Sequence, residues 1–239
     1  MKQRTIKQKL FRFILVFYWV GIFVATHIPV PNWTGRMGVS DKTMHFVAYL
    51  TLTVLLWFST STEQKVNWKK LKPWLLSAII LFYGAADEFS QQFVGRSTDL
   101  RDFIANFFGV STAMLLVTIF PVFYVITTLI TIGLFFLPAF VRSQLIKQNS
   151  IFEIAAYMAG FTVITIAWIK YLPSVLYLNF KKFKSLPVLF TPPAVTVVAI
   201  KIYAELTDKP FGATAISTAF ITIILILLIR QMTIKKTFI

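Results

Sequence analysis

Apolar residues in this chain come in blocks of about twenty, the length an α-helix needs to cross a hydrocarbon core roughly 30 Å thick. The blocks lie near 12–29, 43–60, 73–90, 102–120, 122–141, 151–170, 188–206 and 211–229. The expected fold is therefore all-α, a polytopic transmembrane helix bundle of about eight spans. Residues 1–120 and 121–239 would each carry four of them. Composition agrees, with 57% of residues hydrophobic and 14% charged. A soluble domain would be about a quarter charged.

The stretch from Phe103 to Val141 is 39 residues without a charge. As one helix it would be about 58 Å long, nearly twice the hydrocarbon thickness. Pro121 lies near its middle, where proline breaks a helix, so the stretch reads as two spans in a hairpin. Charge supports this division. With the basic N-terminus (Lys2, Arg4, Lys7, Lys9, Arg12) in the cytoplasm, Lys65, Lys69, Lys70 and Lys72 follow on the same side. Beyond the hairpin, Lys170, Lys181, Lys182, Lys184, Arg230, Lys235 and Lys236 fall there too, as the positive-inside bias requires. Both termini are thus expected in the cytoplasm. The N-terminal run reads as an uncleaved first span: Phe13 to Ile28 is long for a signal core, and "VATHIPVP" is a poor cleavage site.

The net charge of +15 does not point to nucleic acid, because the basic residues flank apolar blocks instead of forming one stripe. Such clusters set orientation and meet anionic lipid. The chain has no cysteine, which excludes disulfides, thiolate catalysis and cysteine metal sites.

Only nine residues are acidic, and Asp87, Glu88, Asp99 and Asp102 fall within "YGAADEFSQQFVGRSTDLRDFIANFFG". The expected topology sends residues 30–42 and 91–101 to the outer side. Asp41, His45, Asp87, Glu88, Arg96, Asp99, Arg101, Asp102 and Asn106 can then gather at one membrane face. Asp41 and His45, Asp87 and Gln91, and Asp102 and Asn106 are each spaced i,i+4, on one helix face. Asp41 and Asp102 lie near helix N-termini, where the dipole favours a carboxylate. Asp87 is fifteen residues beyond Lys72, about 22 Å along a helix. That is short of the far headgroups, at a depth where ionisable groups pair or mark a functional path. Five acids (Asp41, Asp87, Glu88, Asp99, Asp102) face three bases (Lys42, Arg96, Arg101), leaving a carboxylate in need of a proton, a cation or a ligand.

"DKTMHF" followed by "DEFSQQFVGRSTDLRDFIANFFG" resembles the signature blocks of the VanZ-like family, D-K-x-x-H-F, D-E-x-x-Q and G-R-x-x-D-x-x-D-x-x-x-N-x-x-G. The matching positions are Asp41, Lys42, His45 and Phe46; Asp87, Glu88 and Gln91; then Gly95, Arg96, Asp99, Asp102, Asn106 and Gly109. Val94 stands where a proline often precedes the glycine-arginine pair. The resemblance covers about residues 10–120. It implies a multi-pass protein of the bacterial inner or plasma membrane, since the founding type is associated with low-level resistance to the glycopeptide teicoplanin. The expected function is an envelope protein whose outward pocket binds or modifies a lipid-linked or glycopeptide-like ligand. The ligand-binding candidates are Asp41, His45, Asp87, Glu88, Gln91, Arg96, Asp99, Asp102 and Asn106. The alternatives are a structural or accessory subunit of a larger membrane complex and a metal-assisted lipid-headgroup enzyme, with His45, Asp87 and Glu88 as catalytic candidates.

No motif identifies a cofactor. There is no H-E-x-x-H, and a carboxylate set with one histidine would suit Mg²⁺, Mn²⁺ or Ca²⁺. Ser90 and Ser97 lack a nucleophile elbow. His27 reads as a lone structural or interfacial ring at the end of span one, and Lys201 with Glu205 as a snorkelling pair. Membrane lipids are expected partners. Residues 121–239 lack the acidic blocks and read as a membrane platform or a docking module for another membrane protein.

The absence of cysteine makes the topology directly testable. A Ser97→Cys variant should react with a membrane-impermeant thiol reagent added to intact cells. Protection there, with labelling only after lysis, would reverse the assignment.

Overall fold

A computed structural model describes residues 2–27, 40–60, 66–95, 98–142, 150–176, 186–208 and 211–236. Among the described residues there are eight α-helices and no strand: α1 (Lys2–His27), α2 (Asp41–Thr60), α3 (Leu71–Gln91), α4 (Leu100–Ile119), α5 (Val122–Arg142), α6 (Ser150–Leu176), α7 (Leu186–Leu206) and α8 (Ala213–Lys236). They match the eight predicted segments. Six of them (α1, α2, α4, α6, α7 and α8) contain stretches long and apolar enough to cross a membrane. In α3, Asp87, Glu88 and Gln91 lower the hydropathy, and in α5 the apolar helix is the shorter stretch Tyr124–Pro138. Helices carrying Phe13, Phe17, Phe82 and Phe108 more than half exposed present to their surroundings the apolar surface that lipid covers. In lipid, internally bonded helices are the natural way to satisfy the backbone.

Local chemistry sets the helix ends. Ser40 Oγ accepts the Thr43 N–H at 3.1 Å and caps α2, as a serine before a helix does. α3 runs into a 3₁₀ turn over Gln92–Val94 and stops at Gly95, whose φ of 77° is left-handed, a conformation that favours glycine. Asp99 is the N-cap of α4. α4 ends where Phe120 turns extended (φ −106°, ψ 143°), as the residue before a proline must. Pro121 then opens α5, its carbonyl accepting from Val125 N at 3.3 Å.

The described residues fall into two compact units, divided between Val125 and Ile126. In the first, α2 packs most extensively on α4 and next on α1, while α3 packs on α4, α2 and α1. Tyr49, Leu50, Leu52, Ile80, Ala113 and Met114 are buried there. The α2–α4 approach depends on Gly109. A Cβ at that position would collide with the Phe46 carbonyl oxygen and lie 3.0 Å from Leu50 N. Lipid offers no solvophobic drive between helices, so close backbone packing over small residues does that work. In the second unit, Leu134 of α5, Tyr157, Phe161 and Ile164 of α6, Leu189 and Ile200 of α7, and Ala219 and Ile223 of α8 form one core.

Overpacking of this kind costs about 1–3 kcal/mol. Gly109→Ala should therefore lower the thermal transition of the detergent-purified protein. Gly133→Ala, where a Cβ meets nothing within 4 Å, should be neutral or stabilising. Equal behaviour of the two variants would show that the α2–α4 contact is looser than described.

Candidate functional site

The start of α2 and the start of α4 meet above Gly109, and their polar side chains pair across the seam. Lys42 Nζ lies 2.9 Å from Asp99 Oδ2 and 2.8 Å from Asp102 Oδ1. Three residues later on α2, His45 Nδ1 is 3.1 Å from Asn106 Oδ1. The amide oxygen only accepts, so in this bond Nδ1 carries the proton and donates. Nε2 faces Asp41 Oδ1 at 4.0 Å, one turn earlier on the same helix. His45, Asp102 and Asn106 are buried, whereas the Asp41 side chain is 40% exposed at the edge.

α3 brings two consecutive carboxylates to the same end of the first unit, and they diverge. Asp87 turns to α1. Thr26 Oγ1 donates to its Oδ1 at 2.9 Å, Gln91 Nε2 donates to its Oδ2 at 3.3 Å, and His27 Nδ1 lies 3.8 Å from Oδ1. Glu88 turns to α2, with Oε1 3.4 Å from His45 Nδ1. It is 6% exposed, and neither of its oxygens has a hydrogen-bond partner among the described residues. The Nδ2 of Asn106, a residue with no exposed surface, is likewise unpartnered. One turn below lie the rings of Tyr49 and Tyr83, centroids 6.2 Å apart, with Trp19 5.1 Å from Tyr83. Gly84 gives Tyr49 and Asn106 room: a Cβ there would sit 3.0 Å from Tyr49 Cε1 and 3.4 Å from Asn106 Nδ2.

Of the residues singled out from sequence, Asp41, His45, Glu88, Asp99, Asp102 and Asn106 form one connected group, and Asp87 and Gln91 form a second beside it. Arg96 and Ser97 lie outside the described residues. Asp99 has a double role that its spacing did not reveal, because its Oδ1 also accepts the Arg101 backbone N–H at 2.8 Å. The expectation for His27 needs correction. Its ring is not solitary: Nε2 is 2.7 Å from Ser90 Oγ, and Nδ1 donates to the Phe23 carbonyl at 2.9 Å. Thr26, His27 and Ser90 thus belong to the surroundings of Asp87. The available signal was their place at the ends of the first and third spans, on the same side. No i,i+4 spacing could link residues so far apart in sequence.

Two chemical capacities follow from this geometry. His45 Nε2, 4.0 Å from the Asp41 carboxylate, lies where an imidazole nitrogen can exchange a proton. One ligand atom each from Asp41, His45 and Asp102 lies within 4.8 Å of the others, a donor set of the kind that holds divalent metals. The second unit shows no such grouping among its described residues. Its Lys201–Glu205 pair, at 3.0 Å with both side chains exposed, matches the i,i+4 surface pair expected there.

The sequence model of the VanZ/LLP1 family matches residues 1–121. No curated protein and no solved structure matches the chain.

The Lys42 ammonium, with the Arg101 backbone N–H, holds the Asp99 carboxyl below the usual carboxylate range. A carboxyl whose folded pKa is depressed stabilises the fold above its unfolded value of about 3.9. That contribution is lost as pH falls through the folded value. Asp99→Asn should therefore flatten the acid limb of a stability profile below about pH 4, while keeping a side-chain oxygen for the cap. At neutral pH, Lys42→Met should lower the thermal transition, and adding Asp102→Asn should restore part of the loss, because the single variant strands a buried carboxylate. Additive losses in the double variant would show that Lys42 and Asp102 are not energetically coupled.

Proposed function

On the premise that the chain belongs to the VanZ/LLP1 family, as the match across its first 121 residues shows, we propose that its four-helix head binds or modifies the polar part of a lipid-linked or glycopeptide-like molecule. It acts from the outer face of the bacterial cell membrane and lowers susceptibility to teicoplanin. The observation that carries this reading is Glu88, a buried carboxylate with no hydrogen bond among the described residues at the mouth of a membrane helix bundle. A carboxyl buried without a hydrogen bond is costly in either protonation state. A chain selected only for stability gains nothing from it, whereas a site that receives a donor-bearing or cationic ligand does.

Other features support the same reading. Asp41, Lys42 and Asp99 are partly exposed around the buried His45, Glu88, Asp102 and Asn106, so the polar group has an accessible rim and a dry interior. Phe89 and Phe93, exposed and with ring centroids 5.7 Å apart, provide apolar surface at the end of α3 for the hydrocarbon part of an amphiphile. Lys42 and Arg96 would take a phosphate or carboxylate, and the carboxylates hydroxyl or ammonium groups.

A second reading, a lipid-headgroup enzyme, is favoured by one observation. The buried imidazole of His45 is held at Nδ1 by Asn106 and has the Asp41 carboxylate 4.0 Å from Nε2, a setting that suits proton transfer. In that case expression changes the cellular lipid profile and His45→Ala abolishes the change.

Native mass spectrometry of lipids retained by the purified protein tests the binding reading. Wild type is compared with an Asp87→Asn/Asp102→Asn variant shown to be folded. A specific species held by wild type and lost in the variant is expected, and expression should raise the teicoplanin concentration that stops growth. Identical adducts on both proteins, with only thermal stability altered, would make the cluster a structural lock that closes the bundle.

A further inference from the structure

We propose that Glu88 and Asn106 hold one hydroxyl group between them, which donates to the Glu88 carboxyl and accepts from the Asn106 amide. This deepens the reading above and rests on it, since it names the group by which the polar part of the ligand is recognised. Three observations lead to it.

The first is a matched pair of unused bonds. Glu88 is 6% exposed, and Asn106 has no exposed surface. Both Glu88 oxygens lack a donor among the described residues, and Asn106 Nδ2, a donor, lacks an acceptor. Buried polar groups in folded proteins are nearly all hydrogen-bonded. An ammonium would serve Glu88 and leave Asn106 unserved, and a phosphate would do the reverse. A hydroxyl donates and accepts at one atom, so it serves both. Glu88 keeps an acceptor oxygen in either protonation state, so its titration does not enter.

The second is placement. Asn106 Oδ1 and Glu88 Oε1 lie 3.1 and 3.4 Å from the same atom, His45 Nδ1, so the two side chains are neighbours. Asn106 Nδ2 rests against Gly84, 3.4 Å from where a Cβ would stand. Gly84 precedes Glu88 by one turn of α3, a rise of about 5.4 Å. A hydroxyl oxygen with a hydrogen bond of about 2.8 Å on each side spans that gap.

The third is Tyr49, which adjoins the same glycine. Its Cζ is 3.4 Å from the Gly84 Cβ position. The residue is fully buried, and its hydroxyl has no hydrogen-bond partner among the described residues. A carboxyl, an amide and a phenol around one point are the kind of lining that holds water inside a protein. The hydroxyl therefore comes from a water or from the ligand's headgroup. Only 8% of the Glu88 side chain is exposed, which suits a group as small as this one.

The full chain, delipidated in detergent, is given phosphatidylglycerol, whose headgroup carries free hydroxyls, or phosphatidylmethanol, which has the same charge and no hydroxyl. Native mass spectrometry compares their retention. An infrared difference between wild type and Glu88→Gln isolates the Glu88 carboxyl band. Wild type should retain phosphatidylglycerol about 10- to 100-fold better, with the band at the position of a hydrogen-bonded carboxyl. Asn106→Leu should remove that preference; should it fail to fold, both wild-type measurements still decide. A bonded band with phosphatidylglycerol alone assigns the hydroxyl to the headgroup. A bonded band in every sample, without lipid preference, assigns it to a water, and the proposal stands in that form. The band of an unbonded carboxyl in every sample would overturn it. In that case a lipid species lost from the Asp87→Asn/Asp102→Asn variant would leave the ligand-site reading standing. A bonded band with identical adducts on that variant would keep the hydroxyl and remove the ligand-site reading.

Discussion

The contact on which the polar head depends is the approach of α4 to the backbone of α2 at Gly109. With no side chain there, the helices meet at the Phe46 carbonyl and Leu50 N. That separation, one turn below the polar layer, is what allows Asn106 to reach His45 and Asp102 to reach Lys42. The head is therefore positioned from below by apolar packing, as helix association in lipid requires. Tyr49, fully buried and adjoining Gly84, closes the floor between α2 and α3.

Above that floor, two neighbouring carboxylates have opposite fates. Successive helix residues point about 100° apart, so Asp87 and Glu88 cannot address the same neighbour. Asp87 faces α1 and is met by Thr26, Gln91 and His27. Glu88 faces α2 and meets only the nitrogen that His45 already directs at Asn106. Desolvation weighs on both groups, but only the first is compensated by hydrogen bonds. This asymmetry separates the hydrogen-bonded surroundings of Asp87 from the group around Glu88, His45, Asp41 and Asp102.

Much of this was legible in the sequence. Block lengths gave the eight helices, Pro121 marked the break between α4 and α5, and i,i+4 spacing put His45 beside Asp41. The aspartates and Asn106 of the α4 start were also legible, because helix periodicity and the ends of apolar blocks are local signals. What sequence did not show was which partner each polar group would find. That depends on helix rotation about its own axis, and so on packing at Gly84 and Gly109. The divergence of Asp87 from Glu88, the capture of Asp87 by Thr26 and the hydrogen bonds of His27 all come from that rotation. The capping bond of Asp99 was missed for another reason: the same residue also carried a more conspicuous charge role. The described residues of 126–236 yielded a helical core and no grouped chemistry by either route, since their buried polar side chains are mostly threonines, bonded to their own helices as Thr165 is to Phe161 and Thr222 to Thr218.

The central claim is that Glu88 is kept for a ligand and not for the fold, and the sign of one stability change decides it. Glu88→Gln replaces a buried carboxyl that makes no hydrogen bond among the described residues and leaves the shape almost unchanged. In delipidated protein its thermal transition should equal or exceed that of wild type, as when a buried carboxyl without a hydrogen bond is replaced by a neutral group. A loss of more than about 1 kcal/mol, the usual worth of a hydrogen bond, would show that the carboxylate holds the bundle together and would contradict the account.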